Sequence, residues 1–367
     1  GLSVIIRVSV RPKDGVATPM IATGTDHMLA LKYDGTVWSW GSNTYGQLGI
    51  SKAKDTNGNL YYESVYSPVQ VIASVDNENN PTYLTNIIQV AAGQYTSMAL
   101  DKDGNVWTWG HYANGRLGTG ATEYQTYPTK VDIDKVVYIT AGPYNMFAIR
   151  RDGSVWGWGH NRNGALGNGD GADQSTPQRV KGGMSGGAYL SDIVMVKANG
   201  YATHALKANG TVWSWGTNFW GILGDGTQTQ SLVPVQTQTG EQESSSGYLE
   251  NVVDLTGSQV NQQHGWYIQD GIGPVGAVTA DGSVYAWGYS SSLWPAATKT
   301  TPILLYKPKE DGSGKAVQVA IGGNGSNGLY NFAYVLTAEG KVYSRGYDGN
   351  GELGDADPAE STPTTLV

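Results

Sequence analysis

The side chains best suited to acid–base or metal chemistry in this chain are its histidines, because the sequence contains no cysteine. His111 and His160 each follow a Trp-Gly pair, so we expect them to lie near each other on one rim of the fold. A structural metal site needs about four ligands, and no carboxylate recurs beside either histidine. For His27 and His204, which precede a hairpin turn, we expect structural hydrogen bonds instead. The histidines therefore predict no metal site.

A second candidate for chemistry is the stretch Asp348–Glu352 (Asp-Gly-Asn-Gly-Glu), whose oxygen-bearing residues resemble the start of a calcium-binding loop. Leu353 and Ala359, however, stand where such a loop needs a glycine and a bidentate glutamate. The Gly-x-x-Gly spacings elsewhere open no helix, as a phosphate site requires. We therefore expect no metal, no other cofactor and no catalysis, and the chain is predicted not to be an enzyme.

Charge and hydropathy argue against two kinds of partner. The formal net charge of −8 opposes binding to a phosphate backbone, and no basic run appears, so no nucleic-acid partner is expected. No stretch of about 18 apolar residues is present, which predicts no membrane insertion. A cysteine-free chain rich in Tyr, Trp, Asn, Gly, Ser and Thr is typical of exported bacterial or phage structural proteins. We expect an extracellular or cell-surface location, with the virion as the alternative.

The residues best suited to binding are aromatic side chains outside the regular pattern of the sequence. Tryptophan and tyrosine are enriched at the energetic centres of interfaces. In the irregular stretches these are His264, Trp266 and Tyr267 within Ser258–Pro274, Tyr330 and Phe332 further along, Tyr61 and Tyr62 within Ser51–Ser67, and the loop residues Trp220 and Trp294. We predict that they bind the ligand, a protein or a glycan, and that the insertions carrying Trp266 and Tyr330 rise side by side on one face.

These side chains must be positioned by a repeated element, which the phrase Trp-x-Trp-Gly marks. Six copies are visible, although Tyr replaces the first Trp in the last two and Arg replaces the second Trp in the sixth. The phrases end at Gly41, Gly110, Gly159, Gly216, Gly288 and Gly346. A Gly-containing turn precedes each phrase, and a Pro-led apolar stretch follows it. Such self-similarity predicts a repeat architecture.

One copy is readable as a set of antiparallel strands. An Asp-Gly pair between two alternating apolar runs indicates a hairpin, because a type I′ turn needs positive φ at both central residues. We therefore predict that Met28–Leu31 pairs with Val37–Trp40. The Pro-led stretch suits an edge strand, where no ladder N–H is lost. Each copy then supplies about four short strands and no helical period, so the chain is predicted to be all-β.

Strand alternation predicts how the copies pack. In Trp38-Ser39-Trp40 the two indoles share one face of the strand. The residue between the two aromatic positions is small in every copy, so the opposite face is flat. Sheets of this kind suit radial stacking, with the rings buried between neighbours. We predict a single β-propeller of six antiparallel, about four-stranded blades over residues 17–367, with seven blades as the alternative. Residues 1–16 are predicted to be an N-terminal strand or linker, and Pro363–Leu366 to complete the first blade.

The order Ala-Gly, Ala-Leu, Asp-Gly, Val-Trp-x-Trp-Gly, Asn-x-x-Gly-x-Leu-Gly and a Pro-led strand resembles the repeat of the regulator of chromosome condensation family over about residues 17–367. The resemblance implies a propeller, usually of seven blades. Our leading prediction is a non-catalytic recognition propeller that binds through aromatic loops, on a bacterial surface or in a phage tail. The resemblance implies two alternatives: a secreted inhibitor of β-lactamases, and guanine nucleotide exchange on a small GTPase.

Overall fold

A computed structural model of the chain describes residues 17–54, 56–183, 187–257, 273–294, 298–322, 331–349, 351–354 and 364–366. They belong to two compact units. The N-unit contains residues 17–162 and Asp170–Val180, and the C-unit contains Asn163–Gly169 and the described residues from Lys181 onward. Each unit is built from three four-stranded antiparallel sheets, so the all-β prediction is confirmed.

The N-unit contains sixteen strands among its described residues. In chain order they are β1 (Met20–Thr23), β2 (His27–Leu31), β3 (Val37–Gly41), β4 (Ala53–Lys54), β5 (Leu60–Tyr61), β6 (Val65–Gln70), β7 (Ile72–Val75), β8 (Pro81–Tyr83), β9 (Ile87–Ala92), β10 (Thr96–Asp101), β11 (Val106–Gly110), β12 (Gln125–Lys130), β13 (Val136–Ala141), β14 (Asn145–Arg150), β15 (Val155–Gly159) and β16 (Gln174–Arg179). Sheet 1 has the order β1-β2-β3-β6, sheet 2 the order β9-β10-β11-β12, and sheet 3 the order β13-β14-β15-β16. The remaining strands form two small hairpins, β4-β5 and β7-β8.

The C-unit contains twelve strands in its described part. They are β17 (Ile193–Asn199), β18 (Ala202–Lys207), β19 (Val212–Gly216), β20 (Ser231–Gln236), β21 (Val252–Gly257), β22 (Val275–Thr279), β23 (Val284–Tyr289), β24 (Thr298–Tyr306), β25 (Ala316–Gly322), β26 (Phe332–Thr337), β27 (Val342–Gly346) and β28 (Thr364–Leu366). They form sheets 4, 5 and 6, each with its four strands in chain order. Single 3₁₀ turns occur at Ala113–Gly115 and Arg162–Gly164. Among the described residues, no helix has the length and apolar character needed to span a membrane.

The predicted hairpin of the first copy is confirmed. Met28 lies opposite Trp40 and Leu31 opposite Val37 in the antiparallel ladder of β2 and β3. In the turn, the Asp34 carboxylate accepts hydrogen bonds from the hydroxyl and the backbone N–H of Thr36, and these bonds lower the pKa of Asp34. The Pro-led stretches form edge strands such as β6 and β12, as predicted.

Within each unit the sheets stack through their first strands. β9 lies between β1 and β13 in the N-unit, and β21 lies between β17 and β25 in the C-unit. This is the side-by-side arrangement of inner strands that a propeller requires. Closure of the six sheets into one ring stays a prediction, as does the blade count.

The last strand does not complete the first blade, so that prediction was wrong. β28 pairs with β27 in sheet 6, with Thr364 opposite Ser344 and Leu366 opposite Val342. Sheet 1 already has a fourth strand of its own, because β6 pairs with β3. Each copy thus supplies all four strands of its sheet, and the local pairing prevails over a pairing between the ends of the chain. The predicted strand or linker at residues 1–16 lies outside the described residues.

The second aromatic residue of the Trp-x-Trp-Gly phrase makes the same hydrogen bond in four copies. Trp109, Trp158, Trp215 and Trp287 have no exposed surface. Their indole N–H groups donate to the backbone carbonyls of Gln47, Arg116, Ala165 and Ile222, each in the loop of the preceding copy, at 2.8–3.1 Å. The predicted burial of the indoles is therefore confirmed for these four, and each also makes a hydrogen bond that periodicity alone does not reveal.

The first aromatic residue of the phrase has a different environment in several copies, although Trp213 and Tyr285 are buried. Trp38 and Trp156 are partly exposed, and the cations of Lys32 and Arg150 lie 5.3 and 5.8 Å from their ring centroids. Trp40, in the second position of the first copy, is also partly exposed. The prediction of fully interior rows is thus only partly correct.

The glycine that ends the phrase is required by the backbone. Its φ angle lies between 99° and 126° in all six sheets. At Gly110 (φ 102°), a Cβ atom would lie 2.5 Å from the Tyr95 carbonyl oxygen, because the turn before β10 passes directly over this residue. No L-amino acid with a side chain adopts this conformation without strain.

Candidate functional site

The loops that join the third and fourth strands of the sheets build the candidate site. In sheet 1, the Asn43 Oδ1 accepts a hydrogen bond from the Leu48 N–H at 3.0 Å, and the Ser39 hydroxyl donates to the Leu48 carbonyl at 2.7 Å. Asn218 and Asp348 make the same contact to the equivalent leucine N–H in sheets 4 and 6. The side chain at this position therefore caps the loop.

The second copy departs from this pattern. Tyr112 stands where the first copy has the capping Asn43, and a phenol ring offers no carbonyl oxygen to the leucine N–H. Two residues further along the loop, the first copy has Tyr45 where the next two copies have Asn114 and Asn163 in a left-handed conformation. Two tyrosines therefore replace residues that serve the loop backbone elsewhere in the same chain.

Both tyrosines belong to one cluster of rings in the N-unit, which we call the tyrosine surface. It consists of Tyr45, Tyr62, Tyr95, His111, Tyr112 and Tyr124. The Tyr45 centroid lies 4.6 Å from that of His111 in an edge contact, and Tyr112 stacks on the imidazole with its centroid 5.9 Å away. Tyr124 lies 5.3 Å from both Tyr45 and Tyr112 and is 39% exposed. The other five rings are also partly exposed.

Strand ends fix the positions of these rings. His111 follows β11, and its backbone N–H donates to the Tyr95 carbonyl in the turn before β10 at 3.0 Å. The same bond joins His160 to Tyr144 in sheet 3. This extension of the ladder places Tyr95 beside His111, with centroids 6.2 Å apart. Two loops and one turn of sheets 1 and 2 thus converge on the surface.

The insertion of the first copy forms one side of the tyrosine surface. Tyr62 contacts Tyr124 at 6.4 Å, and its hydroxyl lies 3.3 Å from the Thr126 hydroxyl on β12. The Lys52 ammonium lies 4.6 Å from the Tyr62 ring centroid. The insertion is therefore anchored on the edge strand of sheet 2.

His111 is neutral at physiological pH. Burial, with a smaller effect of the nearby Arg116 guanidinium, lowers the pKa of His111 to about 4. Its Nδ1 accepts a hydrogen bond from the Ala113 N–H at 3.1 Å, which leaves the proton on Nε2. Burial and the Asp26 carboxylate raise the pKa of Tyr95, so its phenol stays protonated. The surface therefore presents neutral rings with hydrogen-bonding tips, which suit packing and recognition.

The C-unit contains a smaller aromatic contact at the same positions of the repeat. Trp220 is the counterpart of Tyr45, and Tyr289 is the counterpart of His111. Their centroids are 4.6 Å apart, with the ring planes tilted by 48°, and both side chains are partly exposed. We call this contact the Trp220–Tyr289 pair.

The structure places the predicted binding residues in different environments. Tyr62 lies in the tyrosine surface, Trp220 lies in the pair just described, and Tyr61 is 45% exposed on the β4-β5 hairpin. Trp294 is only 3% exposed and packs in the apolar core of sheets 5 and 6, so almost none of its ring is open to solvent, and its role in binding stays a prediction. Phe332 is partly buried at the start of β26, with its ring 5.6 Å from that of Tyr334.

Four predicted residues lie outside the described part of the chain: His264, Trp266, Tyr267 and Tyr330. Their role in binding stays a prediction. Five residues of the tyrosine surface were not predicted: Tyr45, Tyr95, His111, Tyr112 and Tyr124. A position-by-position comparison of the copies contains the signal, because tyrosine at positions 45 and 112 interrupts a series of asparagines.

The buried histidines have structural roles, as predicted. His27 Nε2 lies 2.9 Å from the Ser97 hydroxyl, and His204 Nδ1 lies 2.9 Å from the Ser214 hydroxyl. Burial lowers the pKa of His27 to about 4 and that of His204 to about 3. His160 is partly exposed and lies 3.8 Å from the Asp173 carboxylate.

His204 should make the stability of the chain sensitive to acid. An unfolded histidine ionises near pH 6.5, whereas His204 stays neutral until about pH 3, so the unfolded state binds more protons between these values. The contribution of neutral His204 to the free energy of unfolding is complete above about pH 6.5 and decreases as the pH falls. At pH 5 the loss is about 2 kcal/mol. Urea unfolding measures the free energy of unfolding at pH 7 and at pH 5. Between these pH values the His204→Asn variant should lose about 2 kcal/mol less than the wild type. His160→Asn is the control, and parallel losses in His204→Asn and the wild type would contradict the prediction.

The fold and the loop sequence together define the protein family. The chain matches the family model of the RCC1-like domain over residues 5–260, and it belongs to that family. This confirms the resemblance to the regulator of chromosome condensation repeat. The chain is 27% identical to the ultraviolet-B receptor UVR8 of Arabidopsis thaliana over 93% of its own length and 68% of the relative. It is 26% identical to the probable E3 ubiquitin-protein ligase HERC6 of Homo sapiens over 89% of its length, but it spans only 23% of that protein.

Solved structures support the propeller fold. Human WBSCR16 superposes with a TM-score of 0.70 at 19% identity, covering 96% of this chain and 82% of the other. Yeast RCC1 (Prp20), solved bound to Kap60, superposes with a TM-score of 0.65 at 20% identity, covering 95% and 74%. At these identities the similarity establishes the fold.

Proposed function

We propose that this chain is a non-catalytic recognition module and that the tyrosine surface is where it binds a protein partner. The observation that carries the proposal is Tyr112, which replaces a loop-capping asparagine and places a partly exposed ring against His111. A tyrosine at this position stabilises its own loop less than asparagine does, because its ring cannot accept the hydrogen bond from the leucine N–H. Its benefit therefore lies in what the surface contacts.

The chemistry of the surface suits a protein interface. Tyrosine combines a large apolar ring with a hydroxyl tip and few rotatable bonds, so it binds at a low cost in conformational entropy. Six rings in mutual contact restrict one another further, which pre-organises the surface. The yeast structure of a family member bound to Kap60 supports protein recognition as a use of this fold.

The test is to restore the repeat residue at two positions. Tyr112→Asn and Tyr45→Asn introduce the side chain that other copies carry, so both variants should fold. We expect each substitution to weaken the affinity for the partner at least tenfold, since exposed tyrosines of this kind are typical interface hot spots. The partner is first captured with the wild-type chain, identified by mass spectrometry, and then titrated by calorimetry. Tyr66→Asn is the control, because Tyr66 is 99% exposed and lies outside the surface.

Unchanged affinity in both variants would overturn the role of the tyrosine surface. Two further assays cover other functions of the same surface: inhibition of a β-lactamase, and nucleotide release from a small GTPase. We propose an extracellular, cell-surface or virion location for the binding event on the basis of composition, and fractionation of the source cells and virions tests it.

A further inference from the structure

Three tyrosines of the tyrosine surface bring their rings into contact although they come from two different sheets. Tyr45 lies in the loop after β3 of sheet 1, whereas Tyr112 and Tyr124 lie between β11 and β12 of sheet 2. The Tyr124 centroid is 5.3 Å from that of Tyr45 and 5.3 Å from that of Tyr112, with the ring planes inclined at 60° in both contacts. Aromatic rings at this centroid separation touch directly. Two further phenols therefore lie within reach of Tyr124.

The phenol groups of these three rings are also open to reaction. None of the three hydroxyls makes a hydrogen bond to another residue that the structure describes. All three side chains are accessible to solvent, and Tyr124 is the most exposed at 39%. The Tyr306–Tyr343 pair of the C-unit has the same centroid distance of 5.3 Å, but there the Tyr306 hydroxyl donates to the Gly314 carbonyl at 2.6 Å. The tyrosine surface thus combines ring contact, exposure and free hydroxyl groups.

We propose that Tyr124 is a site of oxidative modification, at which its ring is cross-linked to that of Tyr45 or Tyr112 as dityrosine. The oxidant is a haem peroxidase that uses hydrogen peroxide. Each of the two phenols loses an electron and its hydroxyl proton, and the two phenoxyl radicals couple by a carbon–carbon bond between their Cε atoms. The hydrogens on these carbons then move to the oxygens and restore both hydroxyls. The two electrons and two protons that were removed reduce one peroxide to two waters.

Such a cross-link supplies a covalent connection that this chain cannot obtain from disulfides, because the sequence contains no cysteine. A bond between Tyr124 and Tyr45 joins the loops of two sheets, and a covalent closure of this kind acts mainly by restricting the unfolded chain. It also fixes two rings of the tyrosine surface relative to each other. The cross-link requires no bound partner, so it can form whether or not the surface recognises a protein.

Oxidation of the purified chain by a haem peroxidase and hydrogen peroxide provides the test, at a protein concentration low enough to suppress coupling between chains. We expect a monomer lighter by the mass of two hydrogen atoms that shows the blue fluorescence of dityrosine. The three tyrosines fall in different tryptic peptides, so tandem mass spectrometry of the linked peptides locates the bond. Tyr124→Phe should abolish the product. Tyr45→Phe and Tyr112→Phe should each retain it through the remaining tyrosine, and the double variant should lose it.

Tyr66→Phe is the matched control, because it removes the same hydroxyl from a tyrosine outside the tyrosine surface. Tyr66 is 99% exposed but makes no ring contact with another described tyrosine. If exposure alone governed coupling, this variant would lose yield, whereas ring contact predicts an unchanged yield. Absence of a cross-linked monomer, a bond that does not include Tyr124, or an equal yield in Tyr124→Phe would each overturn the proposal. Circular dichroism confirms that the variants, which all keep the aromatic ring, are folded.

Discussion

Replacing Trp158 with alanine is expected to lower the free energy of unfolding by about 3–5 kcal/mol. The indole has no exposed surface and packs among Met98, Val106 and Val131 of sheet 2, although it belongs to sheet 3. Its N–H also donates to the Arg116 carbonyl at 3.1 Å. The substitution therefore removes the ring that fills the space between two sheets and leaves a carbonyl without its donor. Urea unfolding followed by circular dichroism measures the loss.

Trp156→Ala is the control for this experiment. Trp156 is two residues earlier on the same strand, but its ring is partly exposed and its N–H bonds within its own hairpin, to the Ser154 hydroxyl at 3.1 Å. We expect a loss of about 1–2 kcal/mol, as for a partly buried side chain. Equal losses in the two variants would contradict the view that the second aromatic position, rather than the first, holds neighbouring sheets together.

Most of the fold could be predicted from the sequence because its causes are local. A hairpin such as β2-β3 depends on turn residues and alternation over about a dozen positions, and these are visible in one copy. The pairing of β28 was predicted wrongly because an edge strand fits any open edge, and nothing in its own residues distinguishes sheet 6 from sheet 1. Only the observed β6, already paired with β3, shows that the first sheet is complete.

The candidate site was predicted much less well, since its residues come from distant positions. Tyr45 and Tyr124 are far apart in sequence but lie 5.3 Å apart in space, because the sheets bring equivalent loops together. A search for insertions favours long irregular stretches, whereas Tyr45 and Tyr112 occur in the first part of the loop, residues 43–49 and 112–118, which has the same length in both copies. The signal that identifies the site is the presence of tyrosine, at positions 45 and 112, where other copies of the repeat have asparagine. In a repeat protein, each copy is a reference for what its neighbours need structurally, and departures from it indicate function.

The glycine that ends the Trp-x-Trp-Gly phrase is present in all six copies, and we expect a substitution at Gly110 to show why. Gly110→Ala is expected to destabilise the chain by about 3–5 kcal/mol, because it adds backbone strain at φ 102° to a clash with the Tyr95 carbonyl. Gln47 blocks the other side, with its Cα 3.2 Å from the position of the added Cβ. Neither neighbour is the flexible end of a side chain, so the clash cannot be relieved by a rotamer change. Thermal and urea unfolding measure the effect.

Gly120→Ala separates strain from crowding in the same copy. Gly120 also has a positive φ, 73°, but no atom lies within 4 Å of its added Cβ. We therefore expect a loss of only about 1 kcal/mol, the cost of a left-handed conformation for alanine. If Gly110→Ala were no more destabilising than Gly120→Ala, the close approach of the turn over the phrase would not be what fixes glycine there. The recurrence of glycine after the aromatic pair would then require an explanation other than packing within the sheet.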